Sequence, residues 1–470
     1  MKNAVRKAAV VAVVLCAFFA QSFARAPKYV FYFIGDGMGV NAVQLTEMYK
    51  ASLNGHLGVE PLRFSQFPVV SFGTTYSYDD DVTDSAASGT ALATGVKTCN
   101  SRLGLGPDGE RLTSIAEMAK RCGYKVGITT SVSVNSATPA AFYAHRMSRS
   151  MCYESMLDLI DAGFDFHAGL KIDKKSTLVD GTKAKDIREL LSDAGYSIVY
   201  GVDDFQSSWR DADKMVMMPA PKTGVEYGID RIGSKPEALT LKQITESAVT
   251  FLQKDNKKGF FLMVEGGDID GAEHGHDGAT MIQEVLDFND AVEVAYQFYL
   301  KHPDETLIVV TSDHETGGLS LNPHTPDQLA LMQHQKISQE SISSRLSRLI
   351  RQRQPEILSW EETKAFLTDY IGLWEKVPVS PEQEQLLRET YDITVAHKIP
   401  GSVKDLYADN ALVVARAVRI LNDNAQIHWT TEHSSGYVPT YVIGVGQEKF
   451  SAKMDNALIP KIIAEIAKYR

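Results

Sequence analysis

The residues of this chain best suited to chemistry come in short clusters. Asp36 stands in Gly35-Asp-Gly-Met-Gly39; Glu265, Asp270 and His274 fall close together; Asp313 and His314 are neighbours; and His433 lies in Glu432-His-Ser-Ser-Gly436. Mixed sets of aspartate and histidine suit zinc, whereas sets of oxygen donors alone suit magnesium. Asp270 and His274 are four apart, a spacing that one helical turn brings side by side. Asp313 and His314, being adjacent, converge on one ion only from an irregular strand end. A serine stands apart from these clusters. The stretch Asp81-Val-Thr-Asp-Ser-Ala-Ala-Ser-Gly-Thr90 sets Ser85 after two acids and at the head of a run of very small side chains. Two readings fit it. Asp84 or Ser85 accepts the unpaired backbone N–H groups at a helix start, or Ser85 is a nucleophile whose small neighbours leave room for a bulky substrate.

Taken singly, an aspartate after a strand is an ordinary turn residue and a histidine an ordinary structural one. The elements around them argue otherwise. Tyr29–Ile34 is a continuous apolar run, as a strand buried on both faces requires. Ser114–Lys120 has the pattern of a helix, and Lys125–Thr129 that of a strand. A helix near Leu241–Gln253 leads to the strand Gly259–Val264, another near Met281–Leu300 leads to Thr306–Val310, and Val438–Gly444 is a late strand. Helices alternating with apolar strands predict an α/β fold with a mainly parallel central sheet covered by helices on both faces. Ligands gather at the carboxyl ends of such strands. Asp36 follows the first strand; Glu265, Asp270 and His274 follow the strand ending at Val264; Asp313 and His314 follow the strand ending at Val310; His433 precedes the late strand. Three strands that deliver acids or histidines to one end predict a shared site. Between about 323 and 426 the chain turns polar, rich in Gln, Glu, Arg and Ser, and helical in pattern, which reads as an inserted helical cap or subdomain.

Composition limits the partners and the compartment. Lys2, Arg6 and Lys7, the apolar run from Ala8 to Ala20, and small residues at 22 and 24 predict a signal peptide over 1–24, with the catalytic chain over 25–470. The apolar run is too short to span a bilayer, and bulky Leu15 argues against a lipid anchor at Cys16. An exported protein, periplasmic or extracellular, without a transmembrane segment is expected. The formal charge is −11, and the first 24 residues carry three bases and no acid, which leaves about −14 on the remainder. So acidic a chain argues against nucleic acid as the main partner, and an anionic substrate would need strong local positive charge. Cys99, Cys122 and Cys152 allow at most one internal disulfide, so the fold must rest on a large core.

Five motifs, in this order and spacing, resemble the alkaline phosphatase family. They are Phe33-Ile-Gly-Asp-Gly-Met-Gly39; Thr83-Asp-Ser-Ala-Ala-Ser-Gly-Thr-Ala91 with Thr94-Gly-Val-Lys97; Ala137-Thr-Pro-Ala140; Val264-Glu-Gly-Gly-Asp-Ile-Asp270 with His274; and Val310-Thr-Ser-Asp-His314. The resemblance implies hydrolysis of small phosphate monoesters through a phosphoserine on Ser85, by a homodimer with two zinc ions and one magnesium per chain. It implies that Asp270, His274 and His433 hold one zinc, and that Asp36, Asp313 and His314 hold the second beside Ser85. Asp36, Thr138 and Glu265 would hold the magnesium, and Arg149, ten residues beyond Pro139, would bind phosphate. His428 competes with His433 by proximity, but the Glu432-His-Ser-Ser-Gly436 context favours His433. His276 has no matching role and is expected to be solvated or to lie just behind the ligands.

The implied chemistry explains the residue types. A serine hydroxyl is a poor nucleophile until zinc favours its alkoxide. Paired metals stabilise the attacking and the leaving oxygen of an in-line displacement. Arginine offers planar paired donors to phosphate oxygens. Together these cations supply the local positive charge that the acidic surface withholds. The chain departs from the family pattern at Ser136 and Gly271, where relatives carry Asp and Lys or a pair of His, and this leaves the third metal open. It also departs in the long 323–426 region. A phosphodiesterase or phosphonate-monoester hydrolase on the same fold is the alternative enzyme, against which Ser85 stands, since related diesterases often use Thr. A binding protein without turnover would lack Ser85 or Arg149, and both are present.

Overall fold

The computed structural model describes residues 26–224, 227–235, 237–322, 324–396, 411–430 and 432–470. The expected signal segment, with Cys16, lies outside them. Ten strands form one sheet: β1 (Tyr29–Gly35), β2 (Val69–Thr74), β3 (Lys125–Thr130), β4 (Phe166–Ala168), β5 (Tyr196–Tyr200), β6 (Lys214–Met218), β7 (Phe260–Gly266), β8 (Thr306–Ser312), β9 (Val438–Gly444) and β10 (Met454–Asp455). Their order is β10-β2-β9-β8-β1-β7-β3-β4-β6-β5. The run from β8 to β5 is parallel throughout. Strand β9 is antiparallel to both of its neighbours, β2 and β8.

Every residue of β1, β7 and β8 is buried, which is why these strands read as unbroken apolar runs. Alternate side chains point to opposite faces. Phe31, Phe33, Leu262, Val264, Ile308 and Val310 enter one core cluster, while Tyr32, Ile34, Phe261, Met263, Leu307 and Val309 enter the other. The helices α1 (Val40–Leu53), α2 (Ser85–Thr94), α3 (Ala137–Ala140), α4 (Leu241–Gln253), α5 (Asp268–His274) and α6 (Gly278–Lys301) include the connections that carry site residues. In the region expected to be an insertion, α7 (Gln339–Arg353), α8 (Trp360–Ile371), α9 (Pro381–Thr394) and α10 (Ala411–Asn424) follow one another. Their apolar residues Ile342, Leu346, Leu367, Leu387 and Val413 join the cluster on the Phe31 face. No described helix is long and apolar enough to cross a membrane. Cys99, Cys122 and Cys152 are free thiols.

The register fixes the level of the site. Gly35 pairs with Gly266 on one side and Ser312 on the other, and Thr130 pairs with Glu265. The chain therefore leaves β1, β3, β7 and β8 at one height, where Asp36, Glu265 and Asp313 emerge together.

Candidate active site

The run of small side chains after Ser85 is explained by packing. Residues Ser85 to Ala93 of α2 are all buried. A Cβ on Gly89 would stand 3.2 Å from Thr138 Cα, so α2 and α3 lie almost in backbone contact. That approach sets Thr138 beside the acids. Its hydroxyl is 3.4 Å from Asp36 Oδ2 and 3.3 Å from Asp313 Oδ2.

The structure chooses between the two cap candidates. Asp84 is the cap: its Oδ1 accepts the Ala87 N–H at 2.9 Å, and Ser85 is the first helical residue. Asp84 Oδ2 accepts the Ser101 N–H at 3.0 Å and lies 3.5 Å from Arg149 Nη1. One carboxylate thus ties the helix start to the arginine. Ser85, 2% exposed, turns its Oγ to His314 Nε2 at 3.1 Å.

Hydrogen bonds set both inner histidine rings. Thr316 donates to Asp270 Oδ1 at 2.6 Å, because a carboxylate only accepts, and so its oxygen accepts from His314 Nδ1–H at 3.1 Å. The Nε2 lone pair of His314 then faces Ser85. His433 Nδ1–H donates to the Thr83 carbonyl at 2.9 Å, which turns its Nε2 inward. That Nε2 lies 3.1 Å from His274 Nε2 and 3.6 Å from Asp270 Oδ1. His274 Nε2 is 3.4 Å from Asp270 Oδ2, as the spacing of four on α5 predicts. Asp270, His314 and His433 form one group able to hold a metal ion, and Asp36, Asp313 and His314 form another. His428 is elsewhere, 3.4 Å from Asp423 Oδ1.

The acids are crowded and short of positive charge. Asp36 Oδ1 and Glu265 Oε1 are buried without a hydrogen-bond partner among the described residues. Burial, reinforced by Asp313, Asp270 and Glu265, holds the Asp36 carboxyl well above its usual range. Burial likewise lifts Glu265 to about 8, against the opposing bond from Thr130. Burial disfavours a charged His433 ring, but the bond and charge of Asp270 outweigh it and raise the ring to about 9. Orphaned carboxylate oxygens, facing imidazole lone pairs and two histidine nitrogens in near contact are what a protein shows where cations belong. The Asp/His groups fit zinc, and the oxygens of Asp36, Thr138 and Glu265 fit magnesium.

Thr83, Thr130 and Thr316 were not legible in the sequence as partners of site residues. Each acts through a hydrogen bond to a residue distant in the chain, a pairing that has no local signature. His276, expected to be solvated or behind the ligands, stacks on Trp429 with ring centroids 5.6 Å apart and 6° between planes. At Gly271 a Cβ would meet the Tyr227 hydroxyl at 3.0 Å, so a phenol closes the space beside Gly271. Arg146, three residues before Arg149, is engaged by Asp158 Oδ1 and the Glu154 carbonyl.

A family model described as Alkaline phosphatase matches residues 27–163 and 165–469. Alkaline phosphatase 3 of Bacillus subtilis is 32% identical over 454 residues, 94% of this chain and 89% of that protein. The crystal structure of a cold-active alkaline phosphatase from Shewanella sp. aligns with a TM-score of 0.77 at 27% identity, covering 93% of this chain and 99% of that one. A variant of the alkaline phosphatase from the Antarctic bacterium TAB5, solved with Mg in its M3 site, aligns at 0.64 and 25% identity over 95% and 100% of the two chains. With its fold, its motifs and these relatives in agreement, the chain belongs to the alkaline phosphatase family.

Proposed function

We propose that the chain hydrolyses phosphate monoesters in two displacements, with Ser85 as the first nucleophile and water as the second. The reading rests on one buried hydroxyl: Ser85 Oγ faces an imidazole lone pair at the start of a helix, beside carboxylates that need cations. In the first displacement the Ser85 hydroxyl releases its proton to solvent water, Oγ bonds to phosphorus as the bond to the ester oxygen breaks, and the departing alkoxide takes up a proton from solvent water in turn. In the second, water attacks the phosphoserine, the Ser85–phosphorus bond breaks, inorganic phosphate leaves, and the serine hydroxyl is restored. The unpaired N–H groups at the start of α2 favour the negative phosphate. Arg149, its side chain 40% exposed, presents paired N–H donors to two non-bridging oxygens.

Asp270, His274 and His433 would hold one zinc, Asp36, Asp313 and His314 a second, and Asp36, Thr138 and Glu265 a magnesium. Such cations, when bound, favour the serine alkoxide and balance charge on the attacking and leaving oxygens. Elemental analysis should find two zinc ions and one lighter ion per active chain, and a single metal per active chain would overturn the assignment. The 1–24 segment supports export of the chain, and a homodimer is what the family resemblance implies.

Enzyme quenched with acid during turnover of a labelled monoester should carry phosphate on the peptide containing Ser85; label on Thr83 or Ser88 would overturn the reading. Arg149→Ala should lower kcat/KM by about two to three orders of magnitude and weaken inhibition by inorganic phosphate, with metal content unchanged. Unchanged kcat/KM would move the phosphate-binding role to Arg146, whose ion pair with Asp158 otherwise serves structure.

A further inference from the structure

A cleft of about 1610 Å³ opens beside the site, between α5 and the helices α7, α9 and α10. It exceeds the roughly 300–1,000 Å³ of most small-ligand pockets. His274 lines it, and so does Tyr227, which stands over Gly271. Contacts run from Ser85 to His314, from His314 to the stacked ring of His433 at 3.9 Å, and from His433 to His274. The cleft therefore begins at the end of the site remote from the serine. In an in-line displacement the leaving group departs opposite the nucleophile, so on the phosphoserine reading above this cleft lies where the leaving group goes.

The two walls differ in chemistry. One carries the parallel rings of His276 and Trp429 together with Arg416. The wall is flat and aromatic and carries a guanidinium, which suits a planar ligand with acceptors at its edge. The facing wall is α7, where Gln339, Ser343 and Ser347 recur every four residues and line the cleft with amide and hydroxyl groups. Such a stripe suits the hydroxyls of a sugar. We infer that the cleft is a subsite for a nucleoside leaving group, its base on the aromatic wall and its ribose on α7, which makes nucleoside 5′-monophosphates the favoured substrate class.

The test compares adenosine 5′-monophosphate, ribose 5-phosphate and phenyl phosphate on the metal-loaded enzyme, with Trp429→Ala and with Ser343→Trp, which fills the cleft. Trp429→Ala should raise KM for the nucleotide roughly tenfold, the loss of one stacked base, and change the other two substrates less than about twofold. Ser343→Trp should reduce kcat/KM for the nucleotide and for ribose 5-phosphate but leave phenyl phosphate near wild type, and it decides the matter if Trp429→Ala does not fold. Equal effects on all three substrates, no effect on any, or a Trp429→Ala loss shared by ribose 5-phosphate would overturn the nucleoside assignment. Adenosine, which carries no phosphate, should bind wild type saturably in calorimetry and fail to bind Ser343→Trp. That readout is independent of turnover. Wild type inactive on phenyl phosphate would instead overturn the function proposed above, whatever adenosine does.

Discussion

Ser85→Ala is expected to lower kcat by roughly 10⁴- to 10⁶-fold, the range seen when a covalent nucleophile is removed. Stability should barely move. The N-terminal cap of α2 comes from Asp84, so the substitution deletes no capping bond, and alanine is the best residue for a helix interior. What is lost in the folded protein is one hydrogen bond to His314, worth about 1 kcal/mol. The cluster of Asp36, Asp313 and His314 is left intact, so metal content should match wild type. Steady-state kinetics, thermal melting and elemental analysis on the same preparation check all three expectations. Turnover within tenfold of wild type would remove Ser85 from the mechanism. Asp84→Ala makes the contrasting control: it should lower stability by about 1 kcal/mol through the lost cap and also loosen Arg149.

Stripping the metals is expected to abolish turnover and to make stability depend on pH in a defined direction. In the metal-free fold Glu265 titrates near 8, against an ordinary value of 4.5, chiefly because it is buried. A carboxyl raised on folding holds its proton longer in the native state than in the unfolded chain. Its contribution is therefore full below about pH 4.5 and is lost as pH rises through about 8. His433, raised to about 9 from 6.5 by Asp270, acts in the same direction over a higher window. Asp270 is held well below its usual range by His274 and His433 despite its burial, so it stays ionised from pH 5 upward and adds no slope there. Each titrating group contributes up to about 1.4 kcal/mol per pH unit. The melting temperature of stripped protein should thus fall between pH 5 and 9, whereas that of loaded protein should stay flatter, since cations balance the same carboxylates. Glu284, raised to about 8 by burial away from the site, adds the same slope to both forms and cancels in the difference. Parallel curves for loaded and stripped protein would mean that the carboxylate cluster does not bind the stabilising cations.

The parts of the fold that hold the site were legible because burial on both faces leaves a plain signature. Tyr29–Ile34, Phe260–Val264 and Leu307–Val310 are apolar without a break, and the site begins where each apolar run stops. Strands β2, β4, β5 and β6 were not read. Phe166–Ala168 is three residues long, and Val69–Thr74 mixes buried and exposed positions. The sequence leaves the cap open between Asp84 and Ser85, since both are good caps and only the backbone decides between them. The clustering of Asp36, Asp270, His274, Asp313 and His314 followed from strand ends, but the joining of His433 to that cluster depends on a two-residue pairing of His433–Ser434 with Glu315–Thr316. So short a ladder has no periodicity to detect. Trp429 and Arg416 were likewise invisible as a wall, because they meet His276 only through the packing of α10 against the loop after α5.

The order in which the chain leaves the ribosome bears on when this enzyme becomes active. Asp36 follows the first strand, while His433 arrives just before β9, which must still insert antiparallel between β2 and β8. A nascent chain holds Asp36, Ser85, Asp270 and Asp313 long before it can close the cation-binding set. Contacts of such long sequence separation form late in folding. Of the proposed ligand sets, the one that includes His433 is therefore the last to be completed, and a chain cut short before His433 would lack that ligand.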